Sequence, residues 1–193
     1  MKIYRLIIFL SFCLLPSLHA QSGKKLVTAA RKQIGVTTSY DPAYTALAYP
    51  NGDVPAEKGV CTDVLIRAMR VAWSKDLQKL LNEDMRGNFS AYPRQWGLAR
   101  PDKNIDHRRV PNLQTYFKRQ KYQLALAENP DATKFLPGDI VTCIVPPHLP
   151  HVMIVSDQKL RDGTPLVIHN IGSGTQEENR LFSFKLTGHY RVK

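Results

Sequence analysis

The stretch Gly59-Val60-Cys61-Thr62-Asp63-Val64-Leu65-Ile66 decides how the rest of this chain is read. Val64, Leu65, Ala68, Met69 and Ala72 recur at helical spacing and form one apolar stripe, with Cys61 four positions before Leu65 on the same face. A thiol therefore opens a helix and points toward whatever that helix packs on. A helix start favours a thiolate and offers backbone N–H donors to an oxyanion, so Cys61 is expected to be a nucleophile of lowered pKa. The competing reading is a buried structural thiol.

After Pro137-Gly138 the pattern turns to strands, expected over 139–145, 151–156, 165–169, 181–185 and 188–192. His151 opens one of them, in His151-Val152-Met153-Ile154-Val155, and His169 closes the next, in Val167-Ile168-His169-Asn170. A thiol nucleophile needs an imidazole to take its proton and a third group to orient that imidazole. His151 is the candidate base and His169 the candidate orienter, with Asn170 as competitor. Neighbours in a strand face opposite ways, so only one of the two aims at His151.

Upstream, residues 24–34 read as a short helix and 76–85 as another, and Pro111 opens a third with Leu113, Tyr116 and Phe117. Residues 37–58 and 86–109 read as loops. A loop of the second one's length is more often functional than idle. Helices first and an antiparallel sheet last is an α+β arrangement, with the Cys61 helix packed on the C-terminal sheet.

The chain opens with Lys2, Arg5 and an apolar run from Leu6 to Leu15, then Leu18-His19-Ala20. Residues 1–20 read as a secretory signal, too short for a span of roughly 20 apolar residues. The remainder, 21–193, reads as a single domain of periplasmic or extracellular location. Bulky Phe12 before Cys13 argues against lipid attachment, so no stable membrane anchor is expected after signal removal. The formal charge is +11, and Lys2 and Arg5 leave with the signal. The rest suits an anionic polymer such as a cell wall, or serves solubility alone. Basic runs interleaved with stacking aromatics are missing, which argues against nucleic acid.

Cys61 and Cys143 remain after processing. A disulfide is the ordinary reading in an oxidising compartment. Their settings differ, however: one opens a helix, while the other lies inside Ile140-Val141-Thr142-Cys143-Ile144-Val145. Both are expected to stay free, Cys143 as a small core residue.

These blocks resemble the NlpC-type branch of papain-like cell-wall peptidases. That branch shows Tyr-x-x-Gly-Gly, Asp-Cys-Ser-Gly, Gly-Asp-Leu-Val, His-Val-Gly-Ile-Tyr and a strand ending Ile-His-Ala. Here Tyr49-Pro50-Asn51-Gly52 precedes Cys61, Gly138-Asp139-Ile140-Val141 begins the sheet, and the His151 and His169 strands follow. The fuller wording is similar to an exported bacterial family catalogued as domain of unknown function 1287. It is carried by Gly59-Val60-Cys61-Thr62-Asp63, Asn104-Ile105-Asp106-His107-Arg108-Arg109-Val110, His169-Asn170-Ile171-Gly172 and Thr187-Gly188-His189-Tyr190-Arg191.

The resemblance implies a papain-like fold and a cysteine peptidase or amidase acting on peptidoglycan stem peptides. A D,L-endopeptidase cutting after γ-D-glutamate comes first. An N-acetylmuramoyl-L-alanine amidase or an inactive wall-binding protein is the alternative. Val60 replaces the Asp before the nucleophile, and Thr62-Asp63 replaces Ser-Gly after it. Substrate reading is therefore expected elsewhere. Tyr49, Asp63, Asn170 and the cluster Asp106, His107, Arg108 and Arg109 are the substrate-binding candidates. The cluster reads either as a carboxylate clamp, since an Arg fork grips bidentately, or as a solvated loop of ion pairs. Phe89, Tyr92 and Trp96 read as loop packing rather than a sugar platform, and His148 and His189 as surface or structural. No cofactor or metal is expected. His148-Leu149-Pro150-His151 makes a poor ligand pair, and no His-Glu-x-x-His helix occurs.

Overall fold

The computed structural model describes residues 15–192. Helices α1 (Leu15–Arg31), α2 (Cys61–Trp73), α3 (Leu77–Asn88) and α4 (Val110–Arg119) precede the sheet. A short parallel ladder, β1 (Ser39–Tyr40) with β2 (Lys58–Gly59), lies between α1 and α2. Strands β3 (Ile140–Val145), β4 (Leu149–Lys159), β5 (Pro165–Asn170), β6 (Thr175–Glu178) and β7 (Lys185–Tyr190) follow. They pair antiparallel in the order β6-β5-β4-β3-β7. Helices first and an antiparallel sheet last is the expected mixed architecture.

The apolar stripe of α2 lies on one face of this sheet. Leu65, Met69 and Cys61 share a core with Leu26 and Val27 of α1 and with Ile140, Val152, Ile154 and Ile168 of the sheet. Each large side chain buried there contributes about 1.5–3 kcal/mol. On the other face Val141, Cys143, Met153, Val155 and Val167 meet Phe135 and Leu181. α1 comes so close that a Cβ on Gly23 would lie 2.0 Å from the Pro137 carbonyl oxygen. Gly138, at φ +83°, forms the other side of that contact. Ser74, left-handed at φ 54°, ends α2.

Asp139 begins the sheet and is fully buried. Burial pushes its carboxyl up, but Arg191 and His189 outweigh that and hold it below the usual range. His189 Nε2 lies 2.7 Å from it, and Arg191 donates through Nε and Nη2 at 2.7 Å each. His189 is buried and structural, tying β7 to β3.

Several boundaries differ from expectation. The first helix ends at Arg31, before Ile34, which is 38% exposed. The strands expected at 181–185 and 188–192 are replaced by β6 and an uninterrupted β7. β6 is the polar edge segment Thr175-Gln176-Glu177-Glu178, of which only Thr175 is buried, so it shows no apolar alternation. Gly188 sits inside β7 next to a register shift, and its small size divides the apolar pattern there. The basic start and most of the apolar run of the expected export signal, residues 1–14, lie outside the described residues.

Candidate active site

Cys61 begins α2 immediately after β2, held there by Asp63, whose Oδ2 accepts the Val60 N–H at 2.7 Å. The N–H groups of Val152, Thr62 and Cys61 itself face the sulfur. Cys61 is 5% exposed, and burial outweighs those donors, pushing the thiol up to about 12. The expected lowering by the helix start is therefore corrected. The dipole effect is small beside the desolvation of a buried anion, and the nearby Asp63 carboxylate adds to the rise.

The register between β4 and β5 holds at Val155–Val167 and Ile154–Ile168 and is not continued toward His151. In that opening His151 Nε2 lies 2.7 Å from His169 Nδ1, and His169 Nε2 lies 3.0 Å from Glu178 Oε1. Burial, then His169, pushes His151 down to about 3; burial also lowers His169, with Glu178 opposing. Both rings are neutral near pH 7, which assigns the tautomers. A carboxylate only accepts, so His169 carries its proton on Nε2 and presents a lone pair at Nδ1. His151 then donates from Nε2, leaving a lone pair on Nδ1, which makes no hydrogen bond among the described residues.

Of the two candidate orienters, His169 is the one that reaches His151. Asn170 faces the other way: its Nδ2 donates to Ser39 O at 3.1 Å and Gly59 O at 3.0 Å. It ties the β1–β2 ladder, and so the entry to α2, to the end of β5.

A cleft of about 390 Å³ opens beside Cys61, walled by Tyr40, Pro42, Trp96, Arg109, Leu149 and Pro150 among others. Tyr49 does not line it. Its ring lies 5.7 Å from the Lys103 ammonium, away from the thiol's wall. The tyrosine at the thiol is Tyr40, because the β1–β2 register sets Tyr40 opposite Gly59. Burial, then Cys61 and Asp63, raises the Tyr40 phenol to about 12.

The expected clamp of four charged residues is taken apart by the fold. Arg108 Nε and Nη2 donate to Asp63 at 3.0 and 2.9 Å. Its Nη1 and Nη2 also reach the carbonyls of Ala43 and Asp41. Both side chains of this pair are buried, at 2% and 4% exposure. Arg108 and Asp63 therefore hold the α2 entry together. His107 is buried with Nδ1 unpartnered, and burial pushes it down to about 4. Asp106 is also buried, and burial raises its pKa; it accepts the Asp102 N–H and Arg109 Nη1. Of the four, Arg108 and Arg109 line the cleft, and the Arg109 guanidinium lies 4.2 Å from the centre of the Trp96 ring. Nor is the cluster a solvated loop.

Glu178 and Tyr40 were missed from sequence. Glu178 sits in a polar edge strand and Tyr40 in a strand of two residues, and neither carries a periodic signal. Cys61 and Cys143 are both free and buried. Cys143 lies opposite His151 in the β3–β4 register, and burial raises its thiol to about 12.

The family model described as "Domain of unknown function (DUF1287)" matches residues 27–192. An Escherichia coli (strain K12) protein titled "Uncharacterized protein YijF" is 53% identical over 174 residues, spanning 90% of this chain and 83% of its own length. The solved "Structure of NlpC1 from Trichomonas vaginalis" matches with a TM-score of 0.44 at 12% identity. That match covers 89% of this chain and 45% of the solved one, so this chain spans less than half of that protein's length.

Proposed function

This chain belongs to the DUF1287 family, and from that premise we propose that it is a cysteine hydrolase of cell-wall peptides with a papain-like arrangement of helix and sheet. The observation that carries the reading is the relay His151–His169–Glu178 in the opening of the sheet, with the helix-start thiol meeting the N–H of Val152, the residue that follows His151. His151 Nδ1 takes the thiol proton as the sulfur attacks an amide carbonyl. Thiol and imidazole are both neutral at rest, so proton transfer accompanies attack rather than preceding it.

The charge that develops on His151 is stabilised through His169 and the Glu178 carboxylate, which act as positioning residues. Backbone N–H groups at the start of α2 are aimed at the oxyanion. The amide C–N bond breaks, and the leaving amine takes the proton from His151. Water then adds to the thioester with His151 again as base, releasing a carboxylic acid and restoring the thiol.

The substrate proposed is the peptidoglycan stem peptide, cut after γ-D-glutamate by a D,L-endopeptidase action. Support comes from the ordered sequence blocks around Cys61, His151 and His169 and from the chain's basic charge. Export is part of the same proposal and is supported by the basic start at Lys2 and Arg5 and the apolar run from Leu6 to Leu15. The test is incubation of purified sacculi with the protein and with Cys61→Ala of confirmed fold. Muropeptide release by the first and not the second is expected; equal release rejects the mechanism. Product masses separate the actions: a disaccharide-dipeptide means endopeptidase, and sugar without peptide means amidase. No release by either leaves a wall-binding protein.

A further inference from the structure

The cleft beside Cys61 has positive lining and no negative lining. Arg108 and Arg109 reach it, and no Asp or Glu is among the residues that form its wall. The Arg108 charge is cancelled at contact by buried Asp63. Arg109 is different: only its Nη1 is bonded, to Asp106 Oδ1 at 2.9 Å, and Nε and Nη2 make no hydrogen bond among the described residues. Asp106 is 2% exposed and its other oxygen accepts the Asp102 N–H, so that carboxylate lies behind Arg109 rather than in the cleft. The Trp96 ring backs the guanidinium at 4.2 Å, which fixes the plane of the fork. Around it stand apolar and aromatic walls, including Tyr40, Pro42, Leu149 and Pro150.

A free ammonium entering such a cleft sheds water, finds no carboxylate partner and meets a guanidinium of like charge. An acylated amine carries no such cost. A carboxylate gains a charge-assisted contact with the open edge of the Arg109 fork. We propose, resting on the hydrolase reading above, that the acyl side of the substrate occupies this cleft with its amine blocked and a carboxylate held by Arg109. The stem peptide still on its glycan has these features. Its first amine is acylated by the sugar's lactyl group, and γ-linked D-glutamate keeps its α-carboxylate next to the bond cut. A released stem peptide with a free amine does not fit.

The test uses four peptides built on L-alanyl-γ-D-glutamyl-diaminopimelate: amine free or N-acetylated, and glutamyl α-carboxylate or α-carboxamide. Binding to the Cys61→Ala protein is measured by calorimetry. The acetylated carboxylate is expected to bind at least about tenfold more tightly than either its free-amine or its carboxamide counterpart. Arg109→Gln in the same background is expected to abolish the carboxylate preference and to keep the discrimination against the amine. Arg109→Lys, with charge but no fork, serves where the glutamine variant does not fold. Equal or tighter binding of the free-amine peptide overturns the proposal. So does a carboxylate preference that survives the loss of Arg109, or no binding by any of the four. Turnover by the unsubstituted protein is read separately. Selective binding without turnover rejects the hydrolase and keeps the subsite, whereas turnover favouring the free amine rejects the subsite and keeps the hydrolase.

Discussion

Nε2 of His151 lies 2.7 Å from Nδ1 of His169, and Glu178 stands 3.0 Å beyond on the far nitrogen of the second ring. The carboxylate at the end of this row decides which nitrogen of His151 is left bare. A glutamine at 178 offers an amide N–H as well as a carbonyl, so the tautomer of His169 is no longer imposed. Glu178→Gln is expected to lower peptide hydrolysis by about ten- to hundredfold with KM nearly unchanged. ¹⁵N shifts of the imidazoles are expected to report a mixed tautomer. An unchanged tautomer together with full activity rules out the positioning role.

The buried thiol gives a second expectation. With Cys61 pushed up to about 12, thiolate is scarce near neutral pH. Alkylation of the folded protein by iodoacetamide is expected to be slow at pH 7 and to climb steadily through alkaline pH. A rate that is already on a plateau below pH 7 contradicts this and restores the thiolate reading of the helix start.

Neighbouring arginines separate by role. Arg108→Ala leaves Asp63 buried and uncompensated, and is expected to destabilise the fold by about 3–5 kcal/mol in denaturant titration. Arg109→Ala leaves buried Asp106 its bonds from the Asp102 N–H and the Asn112 amide, and is expected to cost less than the Arg108 change while depressing turnover. The reverse ranking contradicts the assignment of Arg108 to structure and Arg109 to substrate.

Acid stability depends on buried neutral histidines. His107 is pushed down from 6.5 to about 4 and His151 from 6.5 to about 3. Between those values and 6.5 the unfolded chain binds protons that the folded one refuses, so stability rises with pH across the window and is lost as pH falls through it. The loss attributable to His107 is on the order of 3 kcal/mol at pH 4. His107→Leu is expected to flatten the stability profile between pH 6.5 and pH 4. An unchanged slope places the acid sensitivity elsewhere.

Much of the frame is local and was legible. The α2 stripe and the alternation of Val152 with Ile154 are read within a few residues, because helix and strand periods act over one or two turns or pleats. The β6 edge strand was not legible: facing solvent, it has no apolar face to advertise, and Glu178 was lost with it. Tyr49 was named from a motif spacing alone, whereas the tyrosine that lines the cleft is Tyr40, placed by a two-residue ladder that sets it against Gly59.

That a thiol opens a helix, that histidines sit at the start of one strand and the end of the next, and that helices precede an antiparallel sheet can be read along the chain. What those groups meet is set by the folded arrangement. Asp63 finds Arg108 across 45 positions of chain, and His169 meets His151 rather than leaving that place to Asn170. The sign of the Cys61 shift was decided there too. Charge pairing and desolvation depend on every surface packed around a group, and no stretch of neighbouring residues contains that information.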